Sequence, residues 1–351
     1  MSNESKLKNY VCTMPFTYMD VQVASQFVCC PSWCPTNIQV GDDIKMNWFS
    51  KQAESIRESV YDGSYSHCNK KVCPALSSLI NTDQVPREFM HKDDFDKKYD
   101  IKNFSSLPDT LLFGFDRSCN LKCPSCRNEL IPNDDIDSDM HKHKERILDS
   151  IHNEFSSSIK SLIITGSGDP FYSKLYRTYL TDLDANLYPN LESIQIVTNG
   201  ILLTEKMWNK LNSKEFIKKI EISIDAGTKE TYENVTRLGG NWDVLMENLH
   251  FLSSLDTLDE LIISMVVSEL NYKEMILLYN IIVEIFKNSS FGFRIHYRRI
   301  VHWTSGLYTI EDINKISIFS KAHNNFNEFK NELLKIHNKP FINHNFHDLL
   351  T

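Results

Sequence analysis

From Leu111 onward the chain alternates short apolar runs with stretches long enough for helices, and this alternation limits the fold more than any other feature. The runs are LLFGFD (111–116), SLIIT (161–165), SIQIV (193–197), KIEISI (219–224), LIISMVV (261–267) and FGFRIHY (291–297). Near-continuous apolar strands separated by helical stretches, such as 140–155 and 272–286, predict a parallel sheet with helices on its faces. Six βα units of this kind make an incomplete version of an eight-unit barrel. In such a barrel the chemistry gathers at the C-terminal ends of the strands.

The rest of the chain reads differently. Residues 1–85 carry many cysteines, the short strand DVQVASQFV (20–28) and a helical patch near 47–60, and are expected to form a small α+β domain. Residues 86–108, with HKDDFDKKYD inside them, are charged and polar and read as a linker. The barrel is expected over 109–306, followed by a helical tail over 307–351 with Ile313, Ile316 and Phe319 at helical spacing. A net charge of −8 leaves no basic footprint for nucleic acid. The polar N-terminus lacks a signal-peptide core, and no apolar run approaches the roughly 20 residues a membrane helix needs. A soluble cytoplasmic protein with neither nucleic acid nor membrane as partner is expected.

Nine cysteines are an odd number, which suits a disulfide framework poorly, whereas clustered thiols in a reducing compartment bind metal. Six lie between residues 12 and 73, three lie at Cys119, Cys123 and Cys126, and none follows. Two separate metal sites are the simplest account. The loop Cys119-Asn120-Leu121-Lys122-Cys123-Pro124-Ser125-Cys126 directly follows the first barrel strand. Thiolates hold cubane iron–sulfur clusters, and three local thiolates leave one iron without a protein ligand. An open coordination position is what separates a catalytic metal site from a structural one. Two other readings stand beside this one: a zinc site borrowing a distant cysteine, or a buried trio of free thiols.

With these residues the chain resembles the radical S-adenosylmethionine (SAM) superfamily, whose signature is C-x3-C-x2-C after the first strand of a partial (β/α)6 TIM-like barrel. The resemblance runs over about 111–303. Gly166-Ser167-Gly168-Asp169-Pro170 is similar to the family's Gly-Gly-Glu-Pro segment, which implies contact with the SAM amino group. Thr198-Asn199-Gly200 looks like its Thr-Asn-Gly. Ser223-Ile224-Asp225-Ala226, Arg237 and Gly239-Gly240 are similar to segments that reach the SAM carboxylate and ribose, and Val266 stands where the adenine packs. Trp303 matches a recurrent aromatic. Read from the residues alone, Gly-Ser-Gly-Asp-Pro is a common turn, Ser223 and Asp225 can cap a helix, and Trp303 can be a packing residue. Two positions depart from the pattern: Ser125 replaces an aromatic, and Asp169 is one methylene shorter than Glu.

The N-terminal segment resembles the twitch or SPASM auxiliary-cluster module through Cys12 and Cys29, Trp48, the Arg57-Glu58-Ser59 helix, and the pair Cys68 and Cys73. That resemblance implies a second [4Fe-4S] cluster held by Cys12, Cys29, Cys68 and Cys73, with Cys30 able to replace Cys29 and Cys34 left as a spare thiol. A structural zinc on the same four ligands is the other reading.

Together these likenesses imply an enzyme that cleaves SAM reductively to a 5′-deoxyadenosyl radical and removes hydrogen from a substrate carbon. The electron comes from a flavodoxin- or ferredoxin-type donor. A peptide substrate, crosslinked, epimerised or oxidised, is expected. The alternative is dehydrogenation or epimerisation of a sugar-like metabolite, and a further one is a non-catalytic electron carrier or zinc-stapled binding protein. Epimerisation needs a catalytic hydrogen donor, for which Cys34 or Cys30 is the candidate. His67 is expected to hydrogen-bond the Cys68 thiolate, and His344 and His347 to lie on a solvated surface.

Overall fold

A computed structural model of the chain describes residues 3–70, 72–165, 167–303 and 306–350. These divide into two compact units. One takes in the chain up to Asp116 with 135–163 and 184–192; the other holds 117–134, 164–183 and the chain from Ser193.

The first unit carries β1 (Tyr10–Cys12), β2 (Tyr18–Val21), β3 (Gln26–Phe27), β4 (Phe89–His91), β5 (Thr110–Phe113) and β6 (Ser161–Ile164, Ile164 lying at the boundary). β1 and β4 pair antiparallel. The others run in the order β6-β5-β2-β3, with β2 parallel to β5. The run expected as one strand over 20–28 is a hairpin instead: Gln22 N donates to Ser25 O, and β3 turns back antiparallel on β2. The helical patch also divides, into 44–48 and 51–61, because Ser50 caps the second helix by accepting from Ala53 N.

Residues 86–108, read as a linker, hold β4 and the helix Lys92–Lys98. Their charges lie on an outer face while Phe89 and Phe95 point into the core, where the Phe95 ring meets Phe16 at 4.7 Å and Tyr99 at 4.9 Å between centroids. A short segment with apolar residues this far apart shows no clean period, so composition hides its packing. Arg57 is buried between Trp48 and Phe104, its guanidinium 4.3 and 4.5 Å from their ring centroids, and donates through Nε to Pro15 O. Burial holds its pKa down at about 9.

The second unit carries β7 (Ser193–Thr198), β8 (Ile217–Ser223), β9 (Glu260–Val267), β10 (Gly292–Arg299) and β11 (Ile342–His344), in the order β11-β10-β9-β8-β7. Every one of these neighbours pairs parallel. The helices Trp242–Leu252 and Met275–Phe286 bury Leu245, Leu249, Leu278 and Ile282, the i, i+4 spacing that the sequence displays. All six apolar runs read from the sequence fall on β5 to β10, within a mostly parallel α/β architecture. The tail does form helices at 310–316 and 326–337, but it also supplies β11, three residues too short to leave a pattern. Among the described residues no helix is long and apolar enough to cross a membrane.

Candidate active site

The three-cysteine loop belongs to the second unit and is fixed by its backbone. Cys119 N donates to Ile131 O, Lys122 N to Leu238 O, and Leu307 N to Pro124 O. Cys126 N and Arg127 N both donate to Cys123 O, so Pro124 and Ser125 form a tight turn between the last two cysteines. Cys119 and Cys123 are buried, Cys126 is half-buried, and Leu121 packs among them. The Gly239-Gly240 pair lets the chain pass beside this loop. Gly239 has φ +89°, and a Cβ on Gly240 would lie 2.5 Å from the Tyr232 ring.

Two guanidinium groups, one buried and one largely covered, face these sulfurs. Arg127, 4% exposed, donates through Nη2 to Cys126 Sγ at 3.4 Å and to Ser167 O at 3.1 Å, and through Nη1 to Arg117 O. Arg237 donates to Cys123 Sγ at 3.5 Å and pairs with Asp225 at 2.7 Å. Asn199 adds an amide donor, 3.8 Å from Cys119 Sγ and 2.9 Å from Asn120 Oδ1. Burial pushes the Cys119 thiol up to about 11 against the pull of Arg127, and raises Cys123 against the pull of Arg237. Arg127 escaped the sequence reading, although its position next to the third cysteine was a signal: a cation there has only thiolates to neutralise it.

The residues expected to bind SAM do not all face open space. Asp169 is fully buried, and four donors within the chain saturate its carboxylate: Phe171 N and Tyr172 N on Oδ1, Thr198 Oγ1 and Asn199 N on Oδ2. It locks the loop after β6 to the end of β7 and has no lone pair to spare for an ammonium. Within that loop Ser167 N and Gly168 N donate to Thr165 Oγ1, and Thr165 takes φ +47°. Gly166 lies outside the described residues. Asp225 has φ +60°; its Oδ1 accepts from Val266 N at 2.7 Å while Oδ2 holds Arg237. So Asp225 orients Arg237 rather than capping a helix. Ser223 ends β8, opposite Ser264 in the ladder.

Beside the cluster loop a crevice of about 290 Å³ of free space is lined by Pro124, Ser125, Asp225, Val235, Val266 and Tyr308, among others. Val266 therefore sits at an open, partly apolar slot next to the third cysteine. Trp303 is 55% exposed and does not serve as a packing residue.

The first unit holds a second thiol site. Cys12, Cys29, Cys34, Cys68 and Cys73 line one cavity with Pro15, Trp33, Val60, Leu76 and Phe89 as apolar walls. Cys34, expected as a spare thiol, is 2% exposed and hydrogen-bonded to Cys68, which lowers its pKa and raises that of Cys68. Burial pushes Cys12 up to about 12 and raises Cys29 and Cys73. Cys73 caps the helix Pro74–Asn81 through Leu76 N. Cys30 lies outside the lining, half-buried. His67 bonds Thr36 and Ser55 through its two nitrogens, so it does not serve Cys68.

The donor chemistry of both sites fits iron–sulfur clusters. Among the described residues only His337, His344 and His347 bring three His, Cys or carboxylate ligand atoms within 4.8 Å of one another. Thiolate sulfur serves tetrahedral zinc and iron–sulfur clusters alike, so it is the number of thiolates gathered in one place that separates a closed site from an open one.

The Radical SAM superfamily model matches residues 115–282. Over 133 residues, 37% of the chain, the sequence is 34% identical to the GTP 3′,8-cyclase of Clostridium perfringens, in strain SM101 and in strain 13 alike. That match takes in 39% of each cyclase, so the chain spans about two fifths of the length of the curated relatives it matches. Among solved structures, Streptococcus suis SuiB is 15% identical with a TM-score of 0.44, covering 88% of this chain and 66% of that one. The enzyme anSMEcpe with bound AdoMet is 20% identical with a TM-score of 0.43, covering 66% and 63%.

Proposed function

From the premise that this chain is a radical SAM superfamily enzyme, with residues 115–282 as its domain, we propose that it generates a 5′-deoxyadenosyl radical and uses it to take hydrogen from a carbon of a peptide substrate. The observation that carries this reading is the three-cysteine loop itself, whose sulfurs are oriented by Arg127, Arg237 and Asn199 with no fourth thiol beside them among the described residues. Held by Cys119, Cys123 and Cys126, a [4Fe-4S] cluster would supply one electron to the SAM sulfonium, whose C–S bond breaks to leave methionine and the adenosyl radical.

The protein's own part is positioning and exclusion of water. Arg237, steered by Asp225, sets a positive charge where the SAM carboxylate is expected. Asp169 keeps the loop after β6 and the end of β7 in register, leaving Ser167, Gly168 and Asn199 to meet the methionine end. Val266 and its crevice take the adenine. Five thiols in the first unit support a second cluster on Cys12, Cys29, Cys68 and Cys73, with Cys34 as a fifth candidate ligand. Such a cluster would make the net reaction an oxidation by accepting the substrate's electron. Cys34 is then poorly placed as a free hydrogen donor, and Cys30 is the remaining candidate.

A peptide is favoured by exposed apolar side chains of the second unit. Leu270, Val301, Trp303, Leu307 and Ile310 are each 40–63% exposed in the same unit, an apolar display that suits side chains of a polypeptide. A small-molecule substrate is the second reading, favoured by the identity with a protein named for its action on GTP.

The test is anaerobic reconstitution with iron and sulfide, reduction by dithionite, and chromatography for 5′-deoxyadenosine. We expect it to form from SAM, faster when the cognate peptide is present, with a matching mass change in that peptide. A precursor peptide encoded beside the gene is the first to try. Stimulation by nucleotides or sugars, and by no peptide, would overturn the substrate assignment.

A further inference from the structure

We propose that His337, His344 and His347 form a site for a divalent first-row transition ion, zinc above all, in which three imidazole nitrogens leave the fourth position to water. Three separate pieces of the second unit deliver these rings. His337 ends the helix Phe326–His337, His344 ends β11, and His347 opens the short 3-10 turn His347–Leu349. Their ligand nitrogens lie within 4.8 Å of one another. His337 Nδ1 and His344 Nε2 are 2.9 Å apart, and the His344 and His347 ring centroids are 4.4 Å apart.

His344, which the sequence suggested would be solvated, is 6% exposed and anchored in the sheet by pairing with Tyr297 of β10. His347 is exposed, so the trio is reachable from solvent. The helix also helps: its free carbonyls point toward the C-terminal end at His337, where positive charge is stabilised.

The hydrogen bonds define what binding must change. Phe346 N donates to His344 Nδ1 at 3.2 Å, so the neutral ring carries its proton on Nε2 and donates it to His337 Nδ1. An ion takes the place of that shared proton. His344 Nε2 releases it, Nδ1 takes one up from water, and the Phe346 contact is given up, so no net proton is lost from this ring. Zinc–nitrogen bonds near 2.0–2.1 Å in a tetrahedron set the nitrogens about 3.3 Å apart, so the 2.9 Å pair opens by a few tenths of an ångström. The neighbouring carboxylate, Asp348, is paired with Arg299. Imidazole donors without a carboxylate select zinc, nickel or copper over magnesium or calcium. Bound there, the ion would tie the helix end, β11 and the last turn together.

The experiment uses the full chain with its iron–sulfur sites already reconstituted, so that cysteines do not compete. Wild type, His337→Ala and His347→Gln are titrated with zinc and, separately, with cobalt. We expect wild type to take up one more zinc per chain than either variant, at more than tenfold higher affinity. Cobalt should give weak d–d bands without the intense thiolate-to-metal absorption of a cysteine site. Both variants keep SAM cleavage at the wild-type rate, which also shows that they fold. Equal zinc uptake by wild type and His347→Gln, or a cobalt spectrum of thiolate character that the histidine variants leave unchanged, would overturn the proposal.

Discussion

The two cysteine-rich sites differ in what surrounds the sulfur. In the first unit, five thiols share a cavity whose other walls are Pro15, Trp33, Val60, Tyr65, Leu76 and Phe89. In the second, three thiols on one loop are met by the guanidinium groups of Arg127 and Arg237 and by the amide of Asn199. An apolar wall with thiolates enough to close a cluster protects it from solvent and from ligands. A cationic rim with one thiolate too few invites an anionic chelator and eases reduction. On the proposed function, sulfur is prepared for a closed cluster in one place and for an open, reactive one in the other.

The largest effect that distinguishes them is removal of one ligand from each. Cys123→Ala is expected to abolish 5′-deoxyadenosine formation, whereas Cys73→Ala leaves uncoupled SAM cleavage and lowers only substrate turnover. Iron analysis should fall from about eight to about four per chain in either case, since each cubane holds four irons. Equal loss of SAM cleavage in both variants would erase the proposed division of labour.

The buried carboxylates extend the comparison. Asp225 in the second unit holds Arg237, and Asp225→Asn removes the carboxylate partner of that largely covered guanidinium and leaves it the Cys123 sulfur, at a cost of about 3–5 kcal/mol. Thermal unfolding would read it as a clear fall in Tm. Asp20 in the first unit is 4% exposed and is met by the Gln22 amide rather than by a cation. Burial raises its pKa from 3.8 to about 6. A raised carboxyl pKa means that the fold prefers the protonated form, so its contribution is complete below pH 3.8 and lost as pH climbs through about 6. Asp20→Asn is therefore expected to stabilise the protein above pH 6, by at most about 3 kcal/mol, and to change nothing at pH 4. Denaturant unfolding at the two pH values decides it.

Arg127→Gln is the finest probe of the cationic rim. A charge-assisted hydrogen bond carries about 1.5–3 kcal/mol, so SAM cleavage should slow by about tenfold or more. The midpoint potential of the cluster should fall, with Arg127→Lys restoring part of it. An unchanged potential would make Arg127 a packing residue only.

Much of this is legible in the sequence. The apolar runs located β5 to β10 because central parallel strands are buried on both faces, and the cysteine spacing singled out one loop because three ligands close in sequence also sit close in space. What escaped depended on long-range pairing. β2 adds to β5 and β11 to β10 through backbone bonds that leave no trace in strands of three or four residues. Asp169 looked like a ligand contact because a carboxylate after two glycines can serve either purpose, and only the four donors around it identify the structural one. Cys34 looked spare because its nearness to Cys68 is a property of the fold.

The most direct test is electron–nuclear double resonance on the reduced, reconstituted enzyme with SAM labelled at its amino nitrogen and carboxylate carbon. Coupling of both labels to the cluster spin, present in wild type and in Cys73→Ala and lost in Cys123→Ala, is the predicted result. A reduced four-iron signal in the intact enzyme with no coupling to either label would show that no iron of this loop is open to SAM, and would contradict the account.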